Sequence, residues 1–221
     1  AAGLVSQLGP TAAVTKIRKY SLDLYKKLEK EVDHSAGLRL NGALSIAQTK
    51  GRWQELQRQA TTAQLYDVDV KILDKDQIKK NYPIINTDEV IGGIFMPGDG
   101  AADPSGVTHM LAKGARMEGA QIFEKSPVEE ILTKDGKISG VKVKGQIINC
   151  EYIVLASGMW SRQIAEKIGV SVPLYPAEHF YIITEPIDDL SKTLPVIRDF
   201  DNSTYIKEDA GKILVGIFEG K

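Results

Sequence analysis

The segment Ile153-Val154-Leu155-Ala156-Ser157-Gly158-Met159-Trp160 constrains this chain more than any other stretch. A short apolar run of strand length delivers a small-small-Gly turn into a helical pattern that continues to about Ile168. Such a turn lets backbone approach a ligand closely at the carboxyl end of a strand, where open α/β sheets bind nucleotides. It could equally be a tight strand-to-helix connection with no ligand at all, and the surroundings must decide.

Those surroundings alternate. Pro10-Thr11 opens a helix to about Val32, with Ile17, Tyr20, Leu24, Leu28 and Val32 on one stripe and Lys16, Lys19, Lys26, Lys27 and Lys30 mostly off it, as a solvated face or an anion site. Residues 37–48 alternate around Asn41-Gly42 as two short strands or a hairpin. Residues 52–66 read as helix, 68–73 as extended, 75–81 as a helix stopped by Pro83, and 90–96 as strand. Asp103-Pro104 starts another helix, with Asp103 as cap. Five short strands then follow at 120–123, 128–133, 137–143, 146–150 and 152–155, the middle three joined by Asp135-Gly136 and Lys144-Gly145. Residues 172–218 read as mostly strand, with a turn at Glu208-Asp209-Ala210-Gly211. The fold class is α/β with an α+β admixture, in two interleaved lobes each visited twice: one α/β, one an antiparallel sheet with helices.

Composition excludes several functions. The 221 residues carry 28 Lys+Arg against 29 Asp+Glu, a net charge of −1, so no basic surplus exists to neutralise nucleic-acid phosphates. No apolar run approaches the ~20 residues of a membrane-spanning helix. One cysteine, Cys150, can form neither an internal disulfide nor a thiolate cluster, and three scattered histidines make no metal site. This points to a reducing compartment: the bacterial cytoplasm, or the mitochondrial matrix in a eukaryote. Ser45, Ser105 and Ser157 lack a nucleophile elbow. Gly98-Asp99-Gly100 lacks the strand, helix and third glycine of a dinucleotide fingerprint. The abrupt Ala1-Ala2-Gly3-Leu4 and Gly220-Lys221 termini suggest a piece of a longer protein.

Taken in order, the helix from Pro104, a strand, a three-stranded meander and the strand-turn-helix at Ile153 to Trp160 follow the sequence of elements in two-dinucleotide-fold flavoproteins. Seven segments then resemble one family within the D-amino-acid-oxidase-like superfamily, the flavin-dependent dimethylglycine and sarcosine dehydrogenases. They are Ala1-Ala2-Gly3-Leu4, Asn41-Gly42-Ala43-Leu44-Ser45-Ile46, Met96-Pro97-Gly98-Asp99-Gly100, Lys113-Gly114-Ala115-Arg116, Ala156-Ser157-Gly158-Met159-Trp160, the stretch from Glu178 to Pro186, and Leu194-Pro195-Val196-Ile197-Arg198-Asp199. The nearest members resembled are bacterial ones with an aminomethyltransferase-like C-terminal half. The resemblance implies FAD, carried by residues 1–32 and 97–170, and a substrate lobe of residues 33–96 and 171–221, both incomplete. It implies that Ala1, Ala2, Gly3 and Leu4 border the flavin, that Val128 meets its adenosine end, and that Ala156, Ser157, Gly158 and Trp160 pack near it. Covalent flavin attachment would use a histidine before Ala1, and tetrahydrofolate would bind in a C-terminal half. Such a piece alone is expected to bind FAD poorly and to be inactive.

On an extended strand His179, Tyr181 and Ile183 point one way, so an imidazole and a phenol can face one cavity. His179 could also be a structural histidine bonded to backbone. The resemblance implies that it is the active-site histidine with Tyr205 as its partner, and that the substrate is a small N-methyl amine, with the electron acceptor open. Tyr181 is a further substrate-side candidate. Arg198 could bind a substrate carboxylate bidentately or pair with Asp199 or Asp201. A non-catalytic regulatory relative and an oxidase of glycine or D-amino acids are the alternatives.

Overall fold

The computed structural model describes residues 2–218, which form two compact units, residues 2–120 with 179–218 and residues 121–178. In chain order the first unit contains β1 (Leu4–Val5), α1 (Ala12–Glu31), β2 (Ala43–Ala47), α2 (Lys50–Gln64), β3 (Lys71–Leu73), α3 (Lys75–Asn81), β4 (Gly92–Met96), β5 (Gly100–Ala101) and α4 (Pro104–Met117). The second contains β6 (Val128–Lys134), β7 (Lys137–Val143), β8 (Gln146–Asn149), a 3-10 turn (Gly158–Trp160) and α5 (Ser161–Glu166). The chain then returns to the first with β9 (Phe180–Ile183), β10 (Val196–Asp199), β11 (Thr204–Asp209) and β12 (Lys212–Ile217). The mixed α/β class expected from sequence is the class observed.

Helix starts follow local chemistry. Thr11 caps α1 by accepting from the Val14 N–H, and Asp74 and Gln77 close a reciprocal capping box on α3. Asp103 accepts from the Ser105 and Gly106 N–H groups, each at 3.0 Å, with Pro104 in the first turn as expected.

The first unit is organised by a seven-stranded sheet in the order β3-β4-β2-β10-β11-β12-β9, in which only β2 and β10 run parallel. Of the two readings around Asn41-Gly42, two short strands or a hairpin, the hairpin does not form. Instead β2 pairs antiparallel with β4 and parallel with β10, while Arg39 makes a lone bridge to Ala101. Two distant partners bury every residue of β2, which a local two-stranded hairpin could not do.

Register divides the sheet into two faces. Phe95, Leu44, Ile197 and Ile206 are successive cross-strand partners on one face, packed with Ile78 and Tyr82 of the α3 region in the largest core cluster. On the other face one row runs Ile94, Ser45, Arg198, Tyr205, Gly216, Tyr181. Its β4 end is covered by Leu56 and Ala60 of α2, and from Ser45 onward the row turns polar.

In the second unit β6, β7 and β8 form the expected antiparallel meander, with turns at Asp135-Gly136 and Lys144-Gly145 whose four residues all have positive φ, the type I′ pattern. Residues 120–123 and 152–155, expected as strands, are not: no strand among the described residues pairs with them, and Tyr152 and Val154 lie exposed. A strand exists through its neighbours' hydrogen bonds, so an apolar run without a partner is extended chain only. The helix expected from Trp160 is shorter, Ser161–Glu166, after the 3-10 turn.

Candidate functional site

β11 places Tyr205 on the polar face, and the ring lies across β12. This requires glycine at its register partner: a Cβ on Gly216 would stand 2.0 Å from the Tyr205 ring. Tyr205 is 2% exposed, and its Oη stands 3.1 Å from Nε2 of His179, which immediately precedes β9. The two rings stack at 5.7 Å between centroids, and Phe218 packs against both. Burial pushes the Tyr205 phenol up, with Tyr181 adding to the shift, so the hydroxyl stays protonated at neutral pH and can donate to an unprotonated Nε2.

One strand over, Arg198 sits beside Tyr205 in register. It pairs with neither Asp199 nor Asp201. Nη1 of Arg198 lies 3.4 Å from Oδ2 of Asp99, a fully buried carboxylate whose Oδ1 accepts from the main-chain N–H of Gln7 at 2.9 Å. Burial shifts both partners toward neutrality: it raises Asp99 and lowers Arg198 against their mutual attraction, and Arg18 lowers Arg198 further. The contact is long and single rather than a bidentate fork, so desolvation dominates. Asp199 instead organises the following turn, accepting from the Asp201 and Asn202 N–H groups.

These groups open onto a cleft of about 540 Å³. Leu4, Ser45, Arg198, Tyr205 and Phe218 form one part of its wall, and Arg18 of α1 with Glu55, Arg58 and Gln59 of α2 another. His179 reaches it through Tyr205 and Phe218. Tyr181 ends the same row but is 51% exposed at the edge strand β9.

The residues expected to contact a flavin fall in both units. Ala1 lies outside the described residues. Ala2, Gly3 and Leu4 are half-buried, and Leu4 packs with Ala43, Ala101 and Val196 beside the cleft. In the second unit Gly158 has φ +54 with nothing within 4 Å of the position a Cβ would take, leaving its backbone approachable. Val128 and Trp160 are 47% and 60% exposed, and Ala156 and Ser157 belong to the same accessible turn. The turn thus presents accessible backbone beside the exposed Trp160 ring.

A family model described as FAD dependent oxidoreductase, DAO, matches residues 1–221. The chain belongs to this family. Among curated proteins it is 39% identical over 219 residues to 4-methylaminobutanoate oxidase (formaldehyde-forming) of Paenarthrobacter nicotinovorans, covering 99% of this chain and 27% of that protein. It is 31% identical to human mitochondrial dimethylglycine dehydrogenase, over 100% of this chain and 26% of that one. It is 32% identical to the mouse mitochondrial pyruvate dehydrogenase phosphatase regulatory subunit, over 99% of this chain and 25% of that one. The solved L-proline dehydrogenase from P. horikoshii superposes with a TM-score of 0.87 at 26% identity, covering 97% of this chain and 58% of that one. The chain thus spans about a quarter of the length of these curated relatives.

Three residues of this site escaped the sequence. Asp99 lay in a glycine pair read as a failed phosphate loop and as a family segment, with no role given to its carboxylate, where a lone carboxylate between two glycines could have signalled a buried anchor. Arg18 was not singled out on α1, where only the lysines were read, as a solvated face or an anion site. Gly216 gave no signal, because the ring it admits arrives from another strand.

Proposed function

We propose that the protein carrying this chain oxidises an N-methylated amino acid of the dimethylglycine or sarcosine type, demethylating it. The observation that supports this most is the contact between His179 and Tyr205 beside a buried guanidinium on one cleft. FAD, when bound, supplies the acceptor for the hydride.

Removing a hydride from an N-methyl carbon needs the nitrogen lone pair, so the amine must bind neutral or lose its proton. Tyr205 holds a hydroxyl against Nε2 of His179, and the pair can accept that proton and orient the nitrogen. Arg198 holds the carboxylate end, and Phe218 packs against the His179 and Tyr205 rings. Loss of the hydride with the lone pair forming a C=N bond leaves an iminium, which hydrolyses to formaldehyde and the demethylated amine or would give its one-carbon unit to tetrahydrofolate elsewhere in the protein with release of the same amine. Val128, Ala156, Ser157, Gly158 and Trp160, with Ala2 to Leu4, are the residues we assign to the flavin. On this reading residues 1–32 and 97–170 belong to a cofactor lobe, and 33–96 and 171–221 to a substrate lobe. Covalent flavin attachment outside these residues and a cytoplasmic or matrix location belong to the same reading.

Anaerobic addition of dimethylglycine, sarcosine or 4-methylaminobutanoate to the flavin-loaded protein should bleach its absorbance. A protein bleached only by primary amines such as glycine would be an oxidase of another substrate class. The match to a phosphatase regulatory subunit supports a second, non-catalytic reading, which predicts no response to any amine.

A further inference from the structure

The turn between β10 and β11 is clasped to α2 by a set of polar contacts around one aromatic ring. Asp201 reaches across to the start of α2, accepting from the Gln48 N–H at 2.8 Å, the Thr49 N–H at 3.2 Å and the Thr49 hydroxyl at 3.0 Å. Arg52, in the first turn of α2, pairs with the same carboxylate at 3.6 Å and donates from Nη2 to the main-chain oxygen of Phe200 at 3.5 Å. Asn202 closes the clasp, donating from Nδ2 to Asp199 at 2.8 Å and to Gln48 at 2.9 Å. Phe200 is the one apolar side chain between the two strands. It packs in none of the core clusters among the described residues and is 38% exposed. Its ring lies under the Arg52 guanidinium, 5.4 Å from the centroid, and borders the cleft.

Apolar surface already fixed at a cleft has little left to order when a ligand arrives. A hydrocarbon laid on it therefore gains about fourfold in affinity for each methylene buried. Position decides which hydrocarbon that is. Tyr205 and Arg198 are register partners on neighbouring strands, so a ligand spanning them lies across the strands. Phe200 follows Arg198 by two residues and stands off that line, about 7 Å along the strand direction. A longer spacer between amine and acid would extend along the line, whereas a side chain on the carbon between them would leave it toward Phe200. We propose that Phe200 is a specificity-determining residue that seats an aliphatic side chain on the α-carbon of the substrate, with Asp201 and Arg52 as its positioning residues. The cleft then prefers N-methyl α-amino acids with an aliphatic side chain to N-methylglycine. This rests on the placement of amine and acid in the proposed reaction, and it adds a contact to a carbon that the reaction leaves unassigned.

The test reads a slope. The full flavin-loaded protein is titrated with methoxyacetate, 2-methoxypropanoate, 2-methoxybutanoate and 2-methoxypentanoate, which carry the acid and a growing side chain but no amine to oxidise, and dissociation constants are read by calorimetry. Affinity should rise about three- to fourfold per added carbon. Phe200→Ser should flatten the rise to below about twofold per carbon, and Phe200→Leu should restore most of it. Asp201→Ala should flatten it as well, and Asp201→Asn, which keeps an acceptor oxygen, should recover part. A purely structural Asp201 would lower the melting temperature and leave the slope alone. A parent protein with no rise along the series, or one whose rise persists in Phe200→Ser, overturns the seat. Sarcosine, N-methylalanine and N-methylnorvaline are then followed for anaerobic bleaching. A Phe200-dependent slope without bleaching by any of them keeps the seat and sinks the reaction; bleaching without a Phe200-dependent slope sinks the seat and leaves the reaction standing.

Discussion

The two faces of the seven-stranded sheet use the same backbone ladder for opposite ends. On one, Leu44, Ile197 and Ile78 are fully buried in a continuous apolar core. On the other, one residue along each strand, Ser45, Arg198 and Tyr205 occupy neighbouring strands beside a cleft. Burial on the first face stabilises the sheet, and that stability holds desolvated polar groups in place on the second. The contrast teaches that β10 and β11 are the hinge of function in this chain: each sends alternate residues to the core and to the cleft.

The comparison can be broken most severely from the core side. Replacing Ile197 by Ala should cost about 2–5 kcal/mol, read as a lower denaturant midpoint, because the methyl groups lost leave a cavity in a packed layer. The chemistry should weaken with stability, since Arg198 is its neighbour in the chain. On the cleft side the prediction is reversed. His179→Ala should lower turnover of N-methyl substrates by about 10²-fold or more while the unfolding midpoint moves little, and unchanged kinetics would remove His179 from the mechanism.

A smaller effect sharpens the same contrast. Tyr82 carries the one polar atom of the core face that has no hydrogen-bond partner among the described residues, its hydroxyl. Burial, with Glu208 adding to it, pushes that phenol up to about 12. The folded state therefore holds this proton more tightly than the unfolded one. Its contribution is fully present below about pH 10 and is lost as pH rises through about 12, amounting to roughly 2–3 kcal/mol at most. Tyr82→Phe should raise the alkaline unfolding midpoint and stabilise the protein by about 1 kcal/mol at neutral pH; an alkaline transition at the same pH in both proteins would refute this.

Much of this architecture was legible before any coordinates. The boundaries of α1, α3 and α4, the Asp103 cap, and the turns at Asp135-Gly136 and Lys144-Gly145 are statements about neighbours in the chain, and they hold. The pairing of His179 with Tyr205 was legible only through the family resemblance, since no spacing rule joins residues 26 apart. Residues 120–123 and 152–155 misled, because apolar alternation records a tendency to pair and says nothing of whether a partner is present. Arg198 was legible as a charge in search of a partner, and both partners considered were its neighbours in sequence. The actual one, Asp99, stands 99 positions away.

The sequence by itself determined the local grammar: where helices begin, where meander strands reverse, and that the chain is an FAD-family α/β protein. Capping and turn geometry depend on hydrogen bonds and φ angles spanning three or four residues, which composition at those positions dictates. Only the tertiary structure decided that β2 joins β4 to β10 rather than folding back on itself, that Gly216 makes room for Tyr205, and that Arg18 and Arg198 share one cleft. Those outcomes depend on which distant groups exclude water together, and burial and charge act through space rather than along the chain.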